Sequence, residues 1–364
     1  MRRVLFLITD LELGGTPIVV RELATRLRSA SLEIEVACLK PMGIVGEQLR
    51  AAGLRVTSFD ARGVLDLRRT IRSLATLVND RKIDTVFSFL IHANFVASRA
   101  ARLLPGVRFL QSIQTTQPRP RWHWWLQRRV QSAAELIIVP SESIAKRAKE
   151  WCDVPGEKIR IIPNAVDSEH FRSMSVPLIS EQNDRNGHAS FRVGFVGRLD
   201  PIKRVGDLIA AVAMLEESAF SLDIWGSGPD HAALVRYITL EGLDICSTRF
   251  DFHGQIVDVR KAYAAIDVLV LPSDAEGFGL VLIEAMAAGV PVIGTNVDGI
   301  RDVIRDGETG LLVPPRDPPA LAAAITRISE DGALRQRLVA NALVDVQQRF
   351  AWPAVLEQYR SLLL

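Results

Sequence analysis

Short apolar runs alternate with amphipathic stretches along the first half of the chain. In order, these segments read RVLFLIT, TPIVVRELATRLRSA, EIEVACL, VGEQLRAAG, RVTSF, LDLRRTIRSLATLVNDRK, IDTVFSFL and NFVASRAARLL. Continuous apolar strands separated by helical patterns are typical of a parallel sheet that is covered by helices on both faces. The pattern therefore predicts a doubly wound α/β domain.

The same alternation begins again in the second half, after a polar stretch without periodicity. Its segments read FRVGFVG, RVGDLIAAVAMLEES, FSLDIWG, GPDHAALVRYITLEG, RFDFHG, VDVRKAYAAI, DVLVLPS and LVLIEAMAAG. Open parallel sheets bind ligands at the carboxyl ends of their strands. We therefore expect two Rossmann-like, doubly wound α/β domains that face each other across a cleft.

The length of 364 residues and a hydrophobic fraction of 48% suit two domains with a core each. The pattern places the first domain at residues 1–172, a linker at 173–190 and the second domain at 191–345. Residues 346–364 form an amphipathic C-terminal helix. We expect this helix to pack on either domain, including back on the first.

The first apolar run ends after six residues at Asp10, which is too short for a secretory signal or a membrane span. The cysteines Cys38, Cys152 and Cys246 stand far apart and show no paired spacing. This spacing argues against a disulfide framework and a zinc site. We expect a cytoplasmic protein without a bound metal.

The net charge of +2 hides an asymmetry between the halves. Residues 1–172 hold 27 Lys and Arg against 17 Asp and Glu, whereas residues 173–364 hold 17 against 25. One interpretation is attraction between two domains, or drift in solvated surface. The other is a basic first domain that meets anionic lipid or a phosphorylated acceptor.

Two cations follow a glycine in the stretch RVGFVGRLDPIKRVGDLIAAV of the second half. Gly197 ends a predicted strand, and Arg198 and Lys203 stand in the loop before the next helix. Glycine allows the close approach of an anion, and two cations at a helix start can clamp a diphosphate. The alternative is ordinary loop charges. Gly226, in the turn IWGSGPD, adds a weaker signal of the same kind.

The strongest local signal is the stretch EGFGLVLIEAMAAG, which follows a predicted strand. Gly277 and Gly279 free the backbone there, so the amides of Phe278, Gly279 and Leu280 are expected at a helix start. Helix starts favour phosphate through both the helix dipole and their free N–H groups.

The same stretch carries two carboxylates. Glu284 falls about one helical turn into the predicted helix, and its neighbours are apolar. A carboxylate in such a helix is expected to pair with something, such as a vicinal diol. Glu276 precedes the turn and is placed to contact the other end of the same ligand.

The chain resembles the retaining glycosyltransferases of the family-4 type, the "glycosyl transferases group 1" with the GT-B fold. The resemblance rests on a Gly14-Gly15 turn after the first strand and on six further stretches along the chain. These stretches are IHANFVASRAARLL, LIIVPSES, KIRIIPNAVDSEHF, VGFVGRLDPIKR, AEGFGLVLIEAMAAGVPVIGT and FAWPAVLEQYRSLL. It implies that the first domain binds the acceptor and the second the nucleotide sugar.

The resemblance also implies roles for individual residues. The catalytic set that it implies is His92, Arg198, Lys203 and Glu276. Arg198 and Lys203 would bind the donor diphosphate, Glu276 the donor sugar and Glu284 the ribose hydroxyls. Further donor contacts are implied for Gly14, Gly15, Gln255, Ile256 and the backbone of Gly277, Phe278, Gly279 and Leu280. One departure is the stretch NVDGIRDVI, where Asp298 precedes Gly299 in place of paired glycines.

These implications describe transfer of a sugar from a UDP-sugar to an acceptor hydroxyl, with GDP or ADP donors less favoured. No Asp-x-Asp metal motif stands at a strand end, and we expect no cofactor. Two alternatives remain open, a nucleotide-sugar epimerase and a catalytically silent nucleotide-sugar-binding protein. A dinucleotide oxidoreductase is disfavoured because the first turn, DLELGGTP, lacks the G-x-G-x-x-G fingerprint.

The segment QPRPRWHWWLQRRVQ combines tryptophans with arginines. Trp122, Trp124, Trp125 and Arg121 suit a contact with an anionic membrane or a lipid-linked acceptor. In the alternative, these tryptophans fold into the core. If these residues contact a membrane or a lipid-linked acceptor, we expect the protein to act in the synthesis of cell-envelope glycan, lipopolysaccharide or glycolipid. Its contact with the membrane would be peripheral, and nucleic acid is not expected as a partner.

Overall fold

The chain folds into two compact α/β units. The computed structural model describes residues 1–115, 121–172, 190–243 and 249–364. The first unit comprises Met1–Asn164 together with Pro353–Leu364, and the second comprises Ala165–Trp352. Each unit contains one open parallel sheet, as the alternating pattern predicts.

The first sheet has seven parallel strands in the order β3-β2-β1-β4-β5-β6-β7. The strands are β1 (Arg2–Ile8), β2 (Leu32–Cys38), β3 (Arg55–Ser58), β4 (Thr85–Phe89), β5 (Arg108–Ser112), β6 (Leu136–Val139) and β7 (Ile159–Ile161). The helices between them are α1 (Gly15–Leu27), α2 (Ile44–Ala51), α3 (Leu67–Arg81), α4 (Ile91–Ala100), α5 (Arg121–Val130) and α6 (Glu142–Cys152).

The second sheet has six parallel strands in the order β10-β9-β8-β11-β12-β13. The strands are β8 (Phe191–Val196), β9 (Phe220–Trp225), β10 (Phe250–Gly254), β11 (Val268–Leu271), β12 (Val292–Thr295) and β13 (Leu311–Val313). The helices are α7 (Ser168–Arg172), α8 (Val205–Ala213), α9 (His231–Leu240), α10 (Arg260–Tyr263), α11 (Leu280–Ala287), α12 (Ile300–Val303), α13 (Pro318–Glu330) and α14 (Gly332–Arg349).

The bounds of the units differ from the sequence interpretation at both ends of the second unit. Residues 165–172 belong to the second unit, because Val166 and Phe171 pack into its core. At the other end, position 346 falls inside α14, so the terminal helix begins later, as α15 (Trp352–Leu363). Of the expected linker, residues 173–189 lie outside the described residues.

The C-terminal residues Pro353–Leu364 group with the first unit. Tyr359 is fully buried, and its ring centroid lies 6.2 Å from that of Phe87 on β4. Arg108 Nη1 donates a hydrogen bond of 2.6 Å to the carbonyl oxygen of Leu362. The C-terminal segment, which follows the second unit in sequence, therefore completes the core of the first unit.

Burial of the central strands explains their uninterrupted apolar sequence. Five successive residues of β1, Val4 to Ile8, have no exposed surface. A strand that is covered on both faces buries every side chain, so the usual alternation of apolar and polar positions is lost. Within the described ranges, no helix is both long enough and apolar enough to cross a membrane.

We predict that Tyr359→Ala destabilises the first unit by about 3–5 kcal/mol, as is usual when a large buried aromatic side chain is removed. Urea denaturation would measure the loss, and hydrogen exchange would locate it in β4. Arg360→Ala, at the neighbouring and partly exposed position, is the control. Loss of protection in β11 rather than in β4 would contradict the assignment of the C-terminal segment to the first unit.

Candidate active site

The order of the second sheet reverses between β8 and β11, which pair directly with each other. Open parallel sheets bind ligands outside the carboxyl ends of the strands at such a reversal. The loops that leave β8 and β11 are joined by a backbone hydrogen bond of 2.8 Å from Asp274 N to Ile202 O. These two loops carry Lys203 and Glu276.

The side chains of Lys203 and Glu276 form an ion pair. Both are largely buried, with 19% and 16% of the side chain exposed. Lys203 ends the 3-10 turn Pro201–Lys203, which Asp200 opens by accepting a hydrogen bond of 3.3 Å from Ile202 N. Charges in such partly buried positions interact more strongly than charges in water. The structure thus brings together two residues that were predicted to contact one ligand.

Glu276 also contacts the loop that leads into α11. One of its carboxylate oxygens accepts a hydrogen bond of 3.2 Å from Gly277 N. Gly279 has a left-handed φ of 78° and directly precedes the helix. The side chain of Phe278 is buried, with its ring centroid 5.5 Å from that of Phe350. The side chain of Phe278 therefore anchors the loop. The first N–H groups of a helix generally lack intrahelical acceptors, although Leu282 N donates to Gly279 O at 2.9 Å.

Glu284 lies in the second turn of α11 and is half-buried. The hydroxyl of Tyr263, on α10, donates a hydrogen bond of 2.7 Å to Glu284 Oε2. Desolvation raises the pKa of Glu284, and the hydrogen bond from Tyr263 partly opposes that rise. Burial and the neighbouring Glu284 likewise raise the pKa of Tyr263. The carboxylate is thus oriented by one donor while part of it stays accessible.

Neighbouring loops approach these residues so closely that two positions require glycine. A Cβ at Gly226, where φ is 148°, would lie 1.8 Å from the carbonyl oxygen of Gly197. A Cβ at Gly299, where φ is 84°, would lie 2.2 Å from the carbonyl oxygen of Glu276. Gly299 directly follows Asp298, where the sequence departs from the pattern of the family. Because Gly299 has no side chain, this loop can pack against the backbone of Glu276.

Three other residues of the predicted donor set lie at or near the surface. Arg198 is exposed, and its guanidinium forms an ion pair of 2.6 Å with Asp200 of the same loop. Gln255 is exposed beyond the end of β10, and Ile256 packs partly against the core. Their proposed contacts with the phosphates and the base stay predictions.

One group of side chains in the described residues has the composition of a metal site. Ligand atoms of Asp223, Asp251 and His253 lie within 4.8 Å of one another. However, Asp223 already accepts two hydrogen bonds from Arg192, at 3.1 and 3.0 Å. His253 bonds to Asp223 at 2.6 Å and stacks on Trp225. The guanidinium thus neutralises the buried carboxylate, and a cation at this place would be opposed by it.

The first sheet reverses its order between β1 and β4. Gly14 and Gly15, predicted to face the donor, lie after β1 at the start of α1. Gly14 is extended, with φ of 177°, and a Cβ there would meet only ordinary contacts at 3.6 Å. The fold of the first unit therefore does not itself require glycine at position 14.

His92 lies in the first turn of α4, beyond β4 on the other side of the reversal. The residue before this helix, Leu90, has a φ of 73°, an uncommon conformation for a branched side chain. Desolvation and then the charge of Lys40 lower the pKa of His92, against a smaller opposite effect of Asp10. Lys40 and Asp10 themselves form an ion pair of 3.6 Å.

Two aromatic residues of α5 extend the site around His92. The ring centroids of Trp122 and His123 lie 5.7 and 5.8 Å from that of His92. Burial, followed by the charge of His92, lowers the pKa of His123. The lowered pKa of each ring favours its neutral form, in which a histidine can donate one hydrogen bond and accept another.

A buried chain of side-chain amides fixes α4 against α5. Asn94 Nδ2 donates hydrogen bonds to Gln127 Oε1 at 2.9 Å and to the carbonyl oxygen of Ser112 at 3.1 Å. Gln127 Nε2 in turn donates to Gln111 Oε1 at 2.8 Å, and Ser88 Oγ donates to Asn94 Oδ1 at 2.8 Å. Fully satisfied buried networks impose one arrangement of the elements that they join.

The tryptophan segment was predicted as a surface for acceptor or membrane, and this was wrong for Trp124. Trp124 is buried, and its ring centroid lies 4.8 Å from that of Trp151. Trp122, Trp125 and Arg121 are exposed, and Arg129 lies over the ring of Trp125 at 4.7 Å. Only one face of α5 therefore remains available to a partner.

Sequence reasoning missed Tyr263, Lys40 and His123. Lys40 follows β2, and a search for charges at all strand ends would have found it. His123 stands between Trp122 and Trp124, and only the tryptophans and arginines of this segment were interpreted. Tyr263 carries no signal in the sequence, because its contact with Glu284 spans 21 residues.

Two family models match the chain in succession. Residues 13–170 match the model described as Glycosyltransferase Family 4, and residues 190–331 match Glycosyl transferases group 1. Together they span most of both units. The chain belongs to the glycosyltransferases of the group 1, family 4 type.

Individual relatives of this glycosyltransferase agree with that assignment. It is 29% identical over 234 residues to an uncharacterized glycosyltransferase of Methanocaldococcus jannaschii, covering 61% of the chain and 58% of the relative. It is 25% identical to a D-inositol 3-phosphate glycosyltransferase of Thermomonospora curvata, covering 95% and 89%. The chain thus spans less than two thirds of the first relative and most of the second.

Solved structures show the same GT-B fold. The HepE protein of Anabaena in complex with UDP has a TM-score of 0.85 at 23% identity, over 100% of this chain and 99% of that one. The same protein has also been solved with UDP-glucose, with a TM-score of 0.85. The prediction of two Rossmann-like sheets in a GT-B glycosyltransferase is confirmed.

We predict that the Glu284 carboxyl of this glycosyltransferase titrates above 4.5, its ordinary value. Tyr263→Phe removes the hydrogen bond that stabilises the carboxylate, so it should raise the pKa of Glu284 further. Carbon NMR of the labelled carboxyl would measure both values. Tyr359→Phe, in the first unit, is the matched control and should leave the titration unchanged. A lower pKa in Tyr263→Phe would contradict the role of Tyr263.

Proposed function

We propose that this glycosyltransferase transfers a sugar from a UDP-sugar to an acceptor hydroxyl with retention of anomeric configuration. The observation that carries the proposal is the Lys203–Glu276 ion pair beside the start of α11. It places a cation, a carboxylate and first-turn amides at one strand reversal. Those groups suit the phosphates and the hydroxyls of one nucleotide sugar.

In the proposed reaction, the bond from the anomeric carbon to the β-phosphate oxygen breaks as the bond to the acceptor oxygen forms. The leaving UDP gains negative charge, which Lys203, Arg198 and the amides at the start of α11 would stabilise. The leaving phosphate oxygen takes the proton of the acceptor hydroxyl. The proposed reaction needs no nucleophile from the protein. If UDP leaves and the acceptor attacks on the same face of the sugar, the anomeric configuration is retained.

The Lys203–Glu276 pair suggests how the protein holds the site ready before the donor binds. Each charge is the partner of the other and keeps the neighbouring side chain in place. A diphosphate would compete for Lys203, and sugar hydroxyls would donate to Glu276. Because the two charges already neutralise each other, the donor would exchange partners rather than meet a lone buried charge.

Glu284 is proposed to accept hydrogen bonds from the two ribose hydroxyls. Oε1 is the oxygen proposed for this role, since Tyr263 already donates to Oε2. Its raised pKa means that ionisation is opposed in the folded protein. Ribose hydroxyls that donate to the carboxylate would supply the solvation that it lacks. UDP is favoured as the nucleotide because the Anabaena structure holds UDP and UDP-glucose.

His92 is proposed to contact the sugar near the reacting carbon. Its lowered pKa keeps the ring neutral near pH 7, so it can hydrogen-bond to a hydroxyl in either direction. We propose that the transfer requires neither a metal nor a cofactor, because the cations and the helix start supply the positive charge. Gly14 and Gly15 would give the phosphates room for a close approach to the backbone.

For the acceptor, we propose a glycan or lipid-linked hydroxyl in cell-envelope synthesis, at the cytoplasmic face of the membrane. Support comes from the basic balance of residues 1–172 and from the exposed Trp122, Trp125 and Arg121. Peripheral contact with anionic lipid would bring such an acceptor to the protein. The acceptor would then meet the edge of the first unit where His92 and Trp122 lie in the first turns of α4 and α5.

We predict that Lys203→Ala abolishes measurable sugar transfer, because the leaving diphosphate loses its buried cation. The assay would combine a panel of UDP-, GDP- and ADP-sugars with membrane extract as acceptor and would follow release of the nucleotide. Lys146→Ala, which removes an exposed lysine of the first unit, should retain full activity. Full activity of Lys203→Ala would contradict the assignment, and donor isomerisation without an acceptor would indicate an epimerase.

We also predict that Glu284→Gln weakens UDP binding by about 10- to 100-fold, the effect of losing charge-assisted hydrogen bonds. Isothermal titration calorimetry would measure the affinity. The variant keeps the size of the side chain and an acceptor for Tyr263, so its fold should be at least as stable as the parent. Glu330→Gln, at the exposed end of α13, is the control. Unchanged affinity would exclude Glu284 from the nucleotide site.

A further inference from the structure

The most exposed apolar side chains in the described part of the first unit belong to the segment between β3 and α3. This segment carries none of the candidate site residues. Val64 and Leu65 are neighbours in a 3-10 turn, Val64–Asp66, and are 85% and 101% exposed. Water contact over two adjacent aliphatic side chains is unfavourable. Single exposed apolar residues are ordinary, but an ordered apolar tip within a basic segment is characteristic of interaction surfaces.

The tip is held in place by hydrogen bonds. Asp66 accepts a hydrogen bond of 2.8 Å from Arg62 N, and its own N–H donates to Gly63 O at 3.1 Å. Thr70 Oγ1 donates to the carbonyl oxygen of Asp66 at 3.0 Å, which ties the turn to α3. Val64 and Leu65 therefore project from a built turn at the start of a helix.

Positive charge surrounds this tip. Residues 62–72 contain four arginines and one acidic residue, Asp66. Arg62, Arg68, Arg69 and Arg72 are all exposed, and Asp66 pairs with Arg69 at 3.1 Å. An apolar tip with a collar of arginines matches the two layers of a membrane surface, in which anionic headgroups lie above acyl chains.

An open groove adjoins the tip, between the end of β3 and α3. Its volume is about 510 Å³, and Arg69 and Arg72 line it together with Thr57, Ser73 and Thr76 and the apolar Phe59 and Leu77. Guanidinium and hydroxyl groups are the usual donors to phosphate oxygens. The carboxylate that also lines the groove, Asp80, is about two helical turns from Arg72.

We propose that residues 62–72 dock the first unit on an anionic phospholipid bilayer. Val64 and Leu65 enter the boundary between headgroups and acyl chains, and Arg69 and Arg72 bind a lipid phosphate in the groove. This inference rests on the peripheral membrane contact proposed above and identifies its surface. A soluble phosphorylated acceptor would use the arginines but would leave Val64 and Leu65 without a role.

The position of the segment in the fold links docking to the site. Helices α3 and α5 both pack on α4, so the three helices cover the same face of the first sheet. Residues 62–66 precede α3, His92 lies in the first turn of α4, and Trp122 lies in the first turn of α5. These helix starts follow strand ends at one edge of a parallel sheet. Docking through residues 62–72 therefore brings the edge that carries His92 towards the lipid.

The test is sedimentation of the full chain with vesicles. We expect binding to vesicles of phosphatidylcholine and phosphatidylglycerol in equal parts, release of the protein at high salt, and little binding to phosphatidylcholine alone. Val64→Ser with Leu65→Ser should lower the partition coefficient at least about tenfold, since each side chain loses its burial in lipid. Arg69→Gln with Arg72→Gln, which removes both arginines assigned to the lipid phosphate, should weaken binding and flatten its dependence on salt.

Matched controls separate this surface from others. Met214→Ser with Leu240→Ser removes two exposed apolar side chains of the second unit and should leave vesicle binding unchanged. Thermal melting would verify that all variants stay folded. Equal binding of the parent and the Val64/Leu65 variant would overturn the proposal. So would equal binding to both kinds of vesicle, or a role of this tip in self-association detected by analytical ultracentrifugation.

The outcome is distinguishable from that of the proposed function. UDP affinity, measured by calorimetry without vesicles, should be the same in the parent and in the Val64/Leu65 variant. Loss of vesicle binding with UDP affinity retained supports the docking surface. If the parent transfers sugar but binds no vesicles, the docking proposal fails while the proposed transfer stands.

Discussion

The candidate site of the second unit depends on one junction, the backbone hydrogen bond from Asp274 N to Ile202 O between the loops that leave β8 and β11. It sets the distance between residues that are 73 positions apart in sequence, so that Lys203 reaches Glu276. Arg316 holds Asp274 from the outside at 2.7 Å. Without that junction, the two charges would belong to separate loops, and the ion pair between Lys203 and Glu276 would not be fixed.

The polar groups near this junction include a carboxyl whose ionisation is opposed by the fold. This carboxyl belongs to Glu284, whose pKa is raised by desolvation. A carboxyl with a raised pKa binds its proton more tightly in the folded chain than in the unfolded chain. The folded state therefore loses stability as pH rises from 4.5 through the pKa that Glu284 has in the folded protein. Hydroxyl groups of a bound ligand that donate to the carboxylate would offset this loss.

The order of the elements and the residues at strand ends were predictable from sequence, because both follow from local pattern. The positions of Lys203 and Glu276 after strands marked each as a candidate ligand contact, and the family resemblance assigned both to one nucleotide sugar. Side chains that act across the fold were not predictable. On α5, the inward residues Trp124, Gln127 and Val130 recur every third position. The polar Gln127 disguises that buried stripe, so the sequence did not show which tryptophan faces inward. The sequence also did not show the partner of Glu284, because Tyr263 reaches it only through tertiary packing.

In the first unit, the fold holds the residues around His92 in one arrangement. Leu90 adopts an unfavourable backbone conformation just before His92, and such strain persists only where the surroundings impose it. The surroundings here include the buried amides of Asn94 and Gln127, which lock α4 to α5. Mobile loops could present the same three residues without a strained backbone. A strained turn combined with a satisfied polar core instead fixes His92, Trp122 and His123 in one arrangement, so the choice of acceptor would be made by a preformed surface.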